Sequence, residues 1–296
     1  MIRKLAYLLV LAALGLAAVP ASAFFDNTMV SPRARAMGES AVAVPDGAYA
    51  AFLNPGMLGG LEHGQGAASY VQPFRLGFTD FLYGGAGIPL SEKYGSLGVA
   101  LSHFSVGFQD TSLLKETQVS VAHGFKLYGD YHSRIDFGYA VNMYRVELGE
   151  TISGLDPGSD TAFGIDLGFM MTLHKRTRLG FQIKNLNNPQ IGLDNEELRR
   201  RLIAGVSYEP YDGVITTFEF VNELEEKVQY HGGVEMAIIT NFALRAGVLT
   251  NPNKITGGFG YAFKGFGFDY GFSTGGGTLD GTHQFGLNFA WGGEAK

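Results

Sequence analysis

From about Gly64 to Trp291 the chain alternates large apolar residues with small or polar ones, the two-residue period of a strand whose faces meet different surroundings. Phe163, Ile165, Leu167, Phe169, Met171 and Leu173 alternate with Gly164, Asp166, Gly168, Met170 and Thr172. Ile135, Phe137, Tyr139, Val141 and Met143 alternate with Asp136, Gly138, Ala140, Asn142 and Tyr144, and the run Phe266 to Ser273 repeats the rule. A soluble β-sandwich or propeller with this period would carry Lys, Glu and Thr on its water face. Here the second face is mostly Gly, Ala and Ser. The pattern therefore predicts an inside-out arrangement, with large apolar side chains toward lipid and small or polar ones toward a crowded lumen. The expected fold class is all-β: a transmembrane antiparallel β-barrel of about fourteen strands.

Those strands fall near residues 64 to 72, 78 to 89, 96 to 108, 116 to 127, 134 to 148, 160 to 173, 177 to 187, 199 to 209, 213 to 222, 228 to 239, 241 to 250, 254 to 263, 265 to 273 and 282 to 291. Most reach the 9 to 11 residues that a tilted membrane strand needs. Their connections alternate in length, as short periplasmic turns and longer outer loops do. The long ones include Gly149 to Ser159, Asn188 to Leu198, Asn222 to Lys227 and Thr274 to Gly281. Thr240-Asn241 and Lys264-Gly265 are among the tight ones.

Ahead of the barrel, Arg3 and Lys4, an apolar stretch from Leu5 to Ala18, and small residues at Ala21 and Ala23 make a secretory signal peptide over residues 1–23. Residues 24–63 then form a plug-like segment and residues 64–296 the barrel. Asp46 is placed to cap a helix of about two turns ending at Asn54-Pro55-Gly56. A helical piece has no place in a barrel wall, so this segment belongs in or beneath the lumen. The expected location is the outer membrane of a Gram-negative-type cell.

With 22 basic and 28 acidic residues the chain has no footing for nucleic acid. It has no cysteine, hence neither disulfides nor a thiolate metal site. The 43 glycines, with 23 Phe and 14 Tyr, speak for closely packed backbone. Inward glycines such as Gly138, Gly180 and Gly247 either admit a second backbone against the wall or serve barrel curvature. No catalytic, cofactor-binding or metal residue is assigned: the histidines at 63, 103, 123, 132, 174, 231 and 283 are dispersed, and His103, Ser105 and His123 read as interfacial polar groups.

Strand parity turns Asp136, Asp166, Lys184, Glu219, Glu235, Arg245 and Asp269 inward, with Gln182, His231, Gln284 and Asn288. A Lys or Arg facing lipid at mid-depth costs roughly 2 to 4 kcal/mol. These residues make either a polar pathway that selects a ligand or a set of pairs, joined by Arg33 and Arg35 of the segment, that neutralises the interior. Asn54 and Pro55 make either a hinge or a plain turn.

The run Arg33 to Gly38, then Ala41 to Val44, Asp46, and Ala48 to Leu58 with its Asn54-Pro55-Gly56, resembles the N-terminal signature of PorV/PorQ-like outer-membrane proteins. These in turn are similar to FadL-like transporters. The resemblance covers about thirty residues and implies a fourteen-stranded barrel with a segment folded into its lumen. It implies two alternative roles: passage of small, hydrophobic compounds, which is the leading expectation, or a non-conducting component of a type IX-like protein secretion or surface-attachment system that holds secreted-protein cargo. Gln284, Gly286, Phe289 and Trp291 at the end of the last strand look like the signal read by the barrel assembly machinery. Outer-membrane lipid is the remaining expected partner.

Overall fold

The computed structural model describes residues 24–25, 29–109, 111–149, 157–224, 226–275 and 279–292. The expected signal peptide lies outside them, as does most of the stretch between Gly149 and Ser159. Among the described residues there are sixteen strands. The first seven are β1 (Gly64–Gln72), β2 (Thr79–Ser91), β3 (Gly95–Phe108), β4 (Thr111–Gly129), β5 (Ser133–Leu148), β6 (Ser159–Leu173) and β7 (Thr177–Lys184). A small hairpin of β8 (Gln190–Ile191) and β9 (Glu196–Glu197) follows. Then come β10 (Arg201–Tyr211), β11 (Val214–Glu223), β12 (Gln229–Ile239), β13 (Phe242–Leu249), β14 (Lys254–Phe263), β15 (Phe266–Ser273) and β16 (Thr282–Trp291).

All but the β8–β9 hairpin form one closed antiparallel barrel of fourteen strands. It seals where β1 meets β16, from Gly64 opposite Trp291 to Gln72 opposite His283. The alternation in sequence becomes alternation in exposure. On β6, Phe163 is 60% exposed and faces out, while Asp166, one strand position past its outward neighbour Ile165, is 1% exposed and faces in. An outer surface carrying Leu82, Val121, Phe218 and Leu287 in the open is unsuited to water and matches lipid. Tyr94, Tyr131, Tyr211 and Trp291 gather at one end, where amphipathic rings suit a membrane interface.

That end holds the tight turns, among them Lys264-Gly265 with φ of 48° and 83°, the left-handed pair that suits a two-residue hairpin. The opposite end holds the longer loops. We call them the turn end and the loop end.

Three differences from the sequence expectation have local causes. β7 stops at Lys184 instead of residue 187, because Asn185 turns left-handed (φ 53°) and breaks the strand's course. Beyond it the Asn187 side-chain amide takes the place of strand backbone, accepting from Ile165 N at 2.9 Å and donating to Phe163 O at 2.8 Å. The loop 185–200 then turns into the barrel mouth. Ile191 on its hairpin is fully buried, and Leu198 is buried too, against the inward faces of Tyr144, Val146 and Ala162.

The third difference lies in the N-terminal segment. The two-turn helix expected after Asp46 is a single turn, α2 (Ala50–Leu53), with Tyr49 at its N-cap position and no side-chain cap. A helix not expected, α1 (Pro32–Ala36), starts at Ser31, whose Oγ accepts from Ala34 N at 3.3 Å. Proline at the first helical position gives up no bond there and presets φ. A 3-10 turn, Pro55–Gly60, leads to β1.

Candidate functional site

The segment from Met29 to Leu61 circles the inside of the wall. α1 lies against β14 and β15, residues 41–43 against β7, β10 and β11, α2 against β2, β3 and β4, and the 3-10 turn against β4, β5 and β6. Its buried apolar side chains, among them Tyr49, Phe52, Met57 and Leu58, form the main core with small inward residues such as Ala100, Ala122 and Ala140. The core of this protein is therefore the segment itself.

Close approach of backbones makes this possible. A Cβ on Gly138 would collide with the Pro55 carbonyl, and one on Gly247 with the backbone of Met37 and Gly38. Of the two uses considered for inward glycine, admission of a second backbone is what these positions display.

Polar wall residues then hold the segment at separate stations. Glu219 reaches from β11 to accept the backbone N–H groups of Ala41 and Val42, each at 2.7 Å. Ser207 donates to Ala43 O at 2.8 Å, and Tyr83 to Ala48 O at 2.8 Å. Arg35 donates through Nε to Gln284 Oε1 at 2.6 Å, and the Gln284 amide donates in turn to Val30 O at 2.9 Å. Asn54 is fully buried: its Oδ1 caps Gly56 N, and its amide donates to Val42 O at 2.8 Å and to Phe169 O at 3.0 Å. Asn54-Pro55 thus sits as a clasped turn against the wall. Asp136 accepts from Arg134, whose guanidinium also reaches the Gly59 carbonyl.

One station is ionic. Arg33 makes a two-pronged pair with Glu235, both contacts 2.7 Å. Arg245 bridges Glu235, at 2.6 Å, and Asp269, at 2.5 Å, and Asn288 donates to Asp269. Four of the residues selected from sequence (Arg33, Glu235, Arg245 and Asp269) are therefore one cluster. Asp166 and Lys184 lie elsewhere: Asp166 accepts from Asn185 N at 2.9 Å, and Lys184 lines a cavity at the loop end. Asp46, read from sequence as a helix cap, instead faces the cluster and accepts from Ser31 Oγ at 3.2 Å. Burial raises its carboxyl to about 6, and nearby Arg33 opposes that rise. Strand parity gives no help with a residue in an irregular segment, so this member escaped the sequence.

Two cavities flank the segment. The one at the loop end holds about 350 Å³ between Val42, Phe52 and Leu53 of the segment and Lys184, Arg201 and Glu219 of the wall. The other, at the turn end, holds about 730 Å³ and borders Arg33, Asp46, Arg245 and Asp269. Between them lies a void of only about 10 Å³, which shares Ala41 and Leu53 with the first cavity and Arg33 and Asp46 with the second. Two vestibules are thus parted by the segment, with the small void bordering both.

The stretch Gly271-Phe272-Ser273-Thr274-Gly275 carries the G-x-S-x-G spacing of a hydrolase nucleophile. That motif requires a sharp strand-to-helix turn, whereas Ser273 ends β15, is buried, and contacts Arg35 Nη1 at 3.4 Å.

Fold and site together define a membrane-spanning barrel of the outer-membrane type, closed within by its own N-terminal segment. No protein-family model matches the chain, and no curated protein matches it in sequence. Among solved structures it is similar to the CymD monoaromatic hydrocarbon channel, with TM-score 0.64 and 13% identity over 88% of this chain and 97% of that one. It is similar also to the toluene transporter TbuX of Ralstonia pickettii, with TM-score 0.61 and 13% identity over 90% and 100%. A third is a FadL homologue of Pseudomonas aeruginosa, with TM-score 0.56 and 11% identity over 88% and 98%. The shared feature is the FadL-type barrel fold.

Proposed function

We propose that this protein is an outer-membrane channel for small hydrophobic compounds, opened by a shift of its N-terminal segment. The observation that carries the proposal is the pair of vestibules parted by a void of about 10 Å³ that borders both. If the turn end faces the periplasm, as short turns do in such barrels, a solute enters beside Lys184 and Arg201 and settles on Val42, Phe52 and Leu53. It then passes between Ala41, Leu53 and Arg33 once these part. Val42, Phe52 and Leu53 offer an uncharged cargo an apolar patch within a lining otherwise rich in charged and polar groups, and what supports a hydrophobic cargo is the names of two fold neighbours, a monoaromatic hydrocarbon channel and a toluene transporter. Of the barrel residues chosen from sequence, Glu219, Glu235, Arg245 and Asp269 act in this reading as holders of the gate. The secretion-component alternative finds no counterpart among the neighbours named above.

A cysteine pair tests the gate. Ser40 Oγ lies 2.8 Å from Thr217 Oγ1, so S40C/T217C brings two sulfurs within reach of a disulfide in a chain with no other cysteine. In liposomes the reduced variant is expected to pass toluene and the oxidised variant to be sealed, with a disaccharide excluded by both. Equal toluene passage in both redox states would show that this part of the segment need not move.

A further inference from the structure

Dispersed along the sequence, the histidines are not all apart in space. His132, in the turn between β4 and β5, and His174, in the turn between β6 and β7, meet at the turn end, with ring centroids 5.1 Å apart and planes inclined at 57°. That inclination is neither the offset stack nor the perpendicular contact that attraction between rings favours. The separation is that of two imidazoles on one metal ion: with metal–nitrogen bonds of about 2.0 to 2.1 Å at a tetrahedral centre, ring centres stand roughly 5 Å apart.

The backbone around the pair is fixed without a ligand. Pairing of Ser133 with Leu173 ends the ladder between β5 and β6, and one step beyond it His174 N donates to His132 O at 2.6 Å. Asp130 Oδ1 accepts from His132 N at 2.8 Å and from Ser133 N at 2.7 Å, which holds the first turn. In the second turn His174 and Lys175 are left-handed, with φ of 48° and 62°, so the chain leaves the strand's course beside His132. Tyr131 stands edge-on to the His132 ring, with centroids 5.0 Å apart.

The two rings also differ from other histidines in what their nitrogens meet. His103, His123, His231 and His283 each have a ring nitrogen within hydrogen-bond reach of a protein oxygen, from Thr117, Tyr94, Glu39 and Tyr270 in turn. No described residue engages a ring nitrogen of His132 or His174, and both residues are exposed. Nearby charge does not oppose a cation. Arg134 is paired with Asp136 and Arg176 with Asp212, and Lys175 is matched in number by Asp130.

We infer that His132 and His174 form a two-histidine site for a late first-row divalent metal ion, Cu2+ or Zn2+, which clips the β4–β5 turn to the β6–β7 turn. Imidazole suits both ions, and water completes the coordination. Strands β4, β5 and β6 carry the Pro55–Gly60 turn on their inner faces, so the clip stiffens the part of the wall on which the segment leans. The site stands whether or not a solute passes the lumen.

The test uses the full chain in detergent micelles, purified without a histidine tag, with Cu2+ binding followed by electron paramagnetic resonance and Zn2+ binding by calorimetry. The native chain is expected to bind a single ion, its Cu2+ spectrum showing coupling to a pair of nitrogens. H132N and H174N are each expected to keep a single nitrogen and to lose at least about tenfold in affinity, since loss of a direct ligand costs no less than loss of an outer partner. H63N, at an exposed histidine elsewhere, is expected to bind as the native chain does. Saturating Zn2+ is expected to raise the temperature at which the folded band converts in gels for the native chain and not for H132N. No saturable binding by the native chain, a spectrum with a single nitrogen, or native affinity in both H132N and H174N would overturn the inference, provided the variants keep the gel mobility of the folded barrel.

Discussion

Arg33→Ala is the sharpest perturbation of the gate. The Arg33–Glu235 pair joins segment to wall, and its side chains retain 21% and 12% of their exposure, so it is neither fully screened nor fully dry. Two charge-assisted bonds are lost, each of the kind that contributes about 1.5 to 3 kcal/mol. Glu235 keeps Arg245 at 2.6 Å, so its carboxylate is not left unpaired, and the larger penalty for a stranded buried charge does not apply. Partial exposure of both side chains screens the pair and brings the net loss below the sum of the two bonds, to about 2 kcal/mol, which shifts the balance between seated and displaced segment by roughly thirtyfold. Toluene flux in liposomes, limited by that displacement, is expected to rise by up to that factor, with the barrel still folded by its heat-modifiable mobility in gels. In a cycle with Glu235→Gln the two effects should be strongly non-additive. A folded R33A barrel with native flux would refute the claim that this pair holds the passage shut.

Gly138→Val drives a side chain into the Pro55 carbonyl and is expected to unseat the 3-10 turn at a cost of about 1 to 3 kcal/mol, exposing the segment to trypsin at Arg33 and Arg35; protection equal to native would count against close wall contact as the restraint. Asp46, its carboxyl raised by burial from an ordinary 3.8 to about 6, opposes seating when ionised. Asp46 should therefore favour seating as pH falls from 7 through 6 toward 4, by roughly 2 kcal/mol after allowance for partial exposure, and D46N should remove that share of the pH dependence. Carboxyl NMR that places the midpoint near 4 would show that the group is not desolvated.

The strands were legible because lipid and lumen impose opposite demands on alternate residues, and fourteen segments placed by that rule match the fourteen barrel strands within a few residues. Inward charges such as Asp136, Glu219 and Asp269 followed from the same parity. Glu116 obeys it too, sharing a face with Gln118 and Ser120, and was within reach of the sequence. What parity does not describe is chain without a period. The α1 helix has five residues, too few for a helical repeat to register, and the fall of the loop 185–200 into the mouth depends on a left-handed Asn185 and on Ile191 finding apolar partners some 45 residues earlier in β5. Pairing partners were equally hidden, since Arg33 and Glu235 are 202 residues apart.

The seam between β1 and β16 joins the first barrel strand to the last, so the ring stays open until the final stretch of chain has been made. The segment that fills the ring precedes β1 and exists before any wall does. Strands laid down around it need no threading, whereas a ring closed empty would have to draw Phe24 along its whole height past wall glycines fitted to backbone already in place. The segment can thus serve as a mandrel for the strands, and the opening proposed above need be no more than a local shift near Ala41 and Leu53. Expulsion of the whole segment would remove the core that sets the size of the ring.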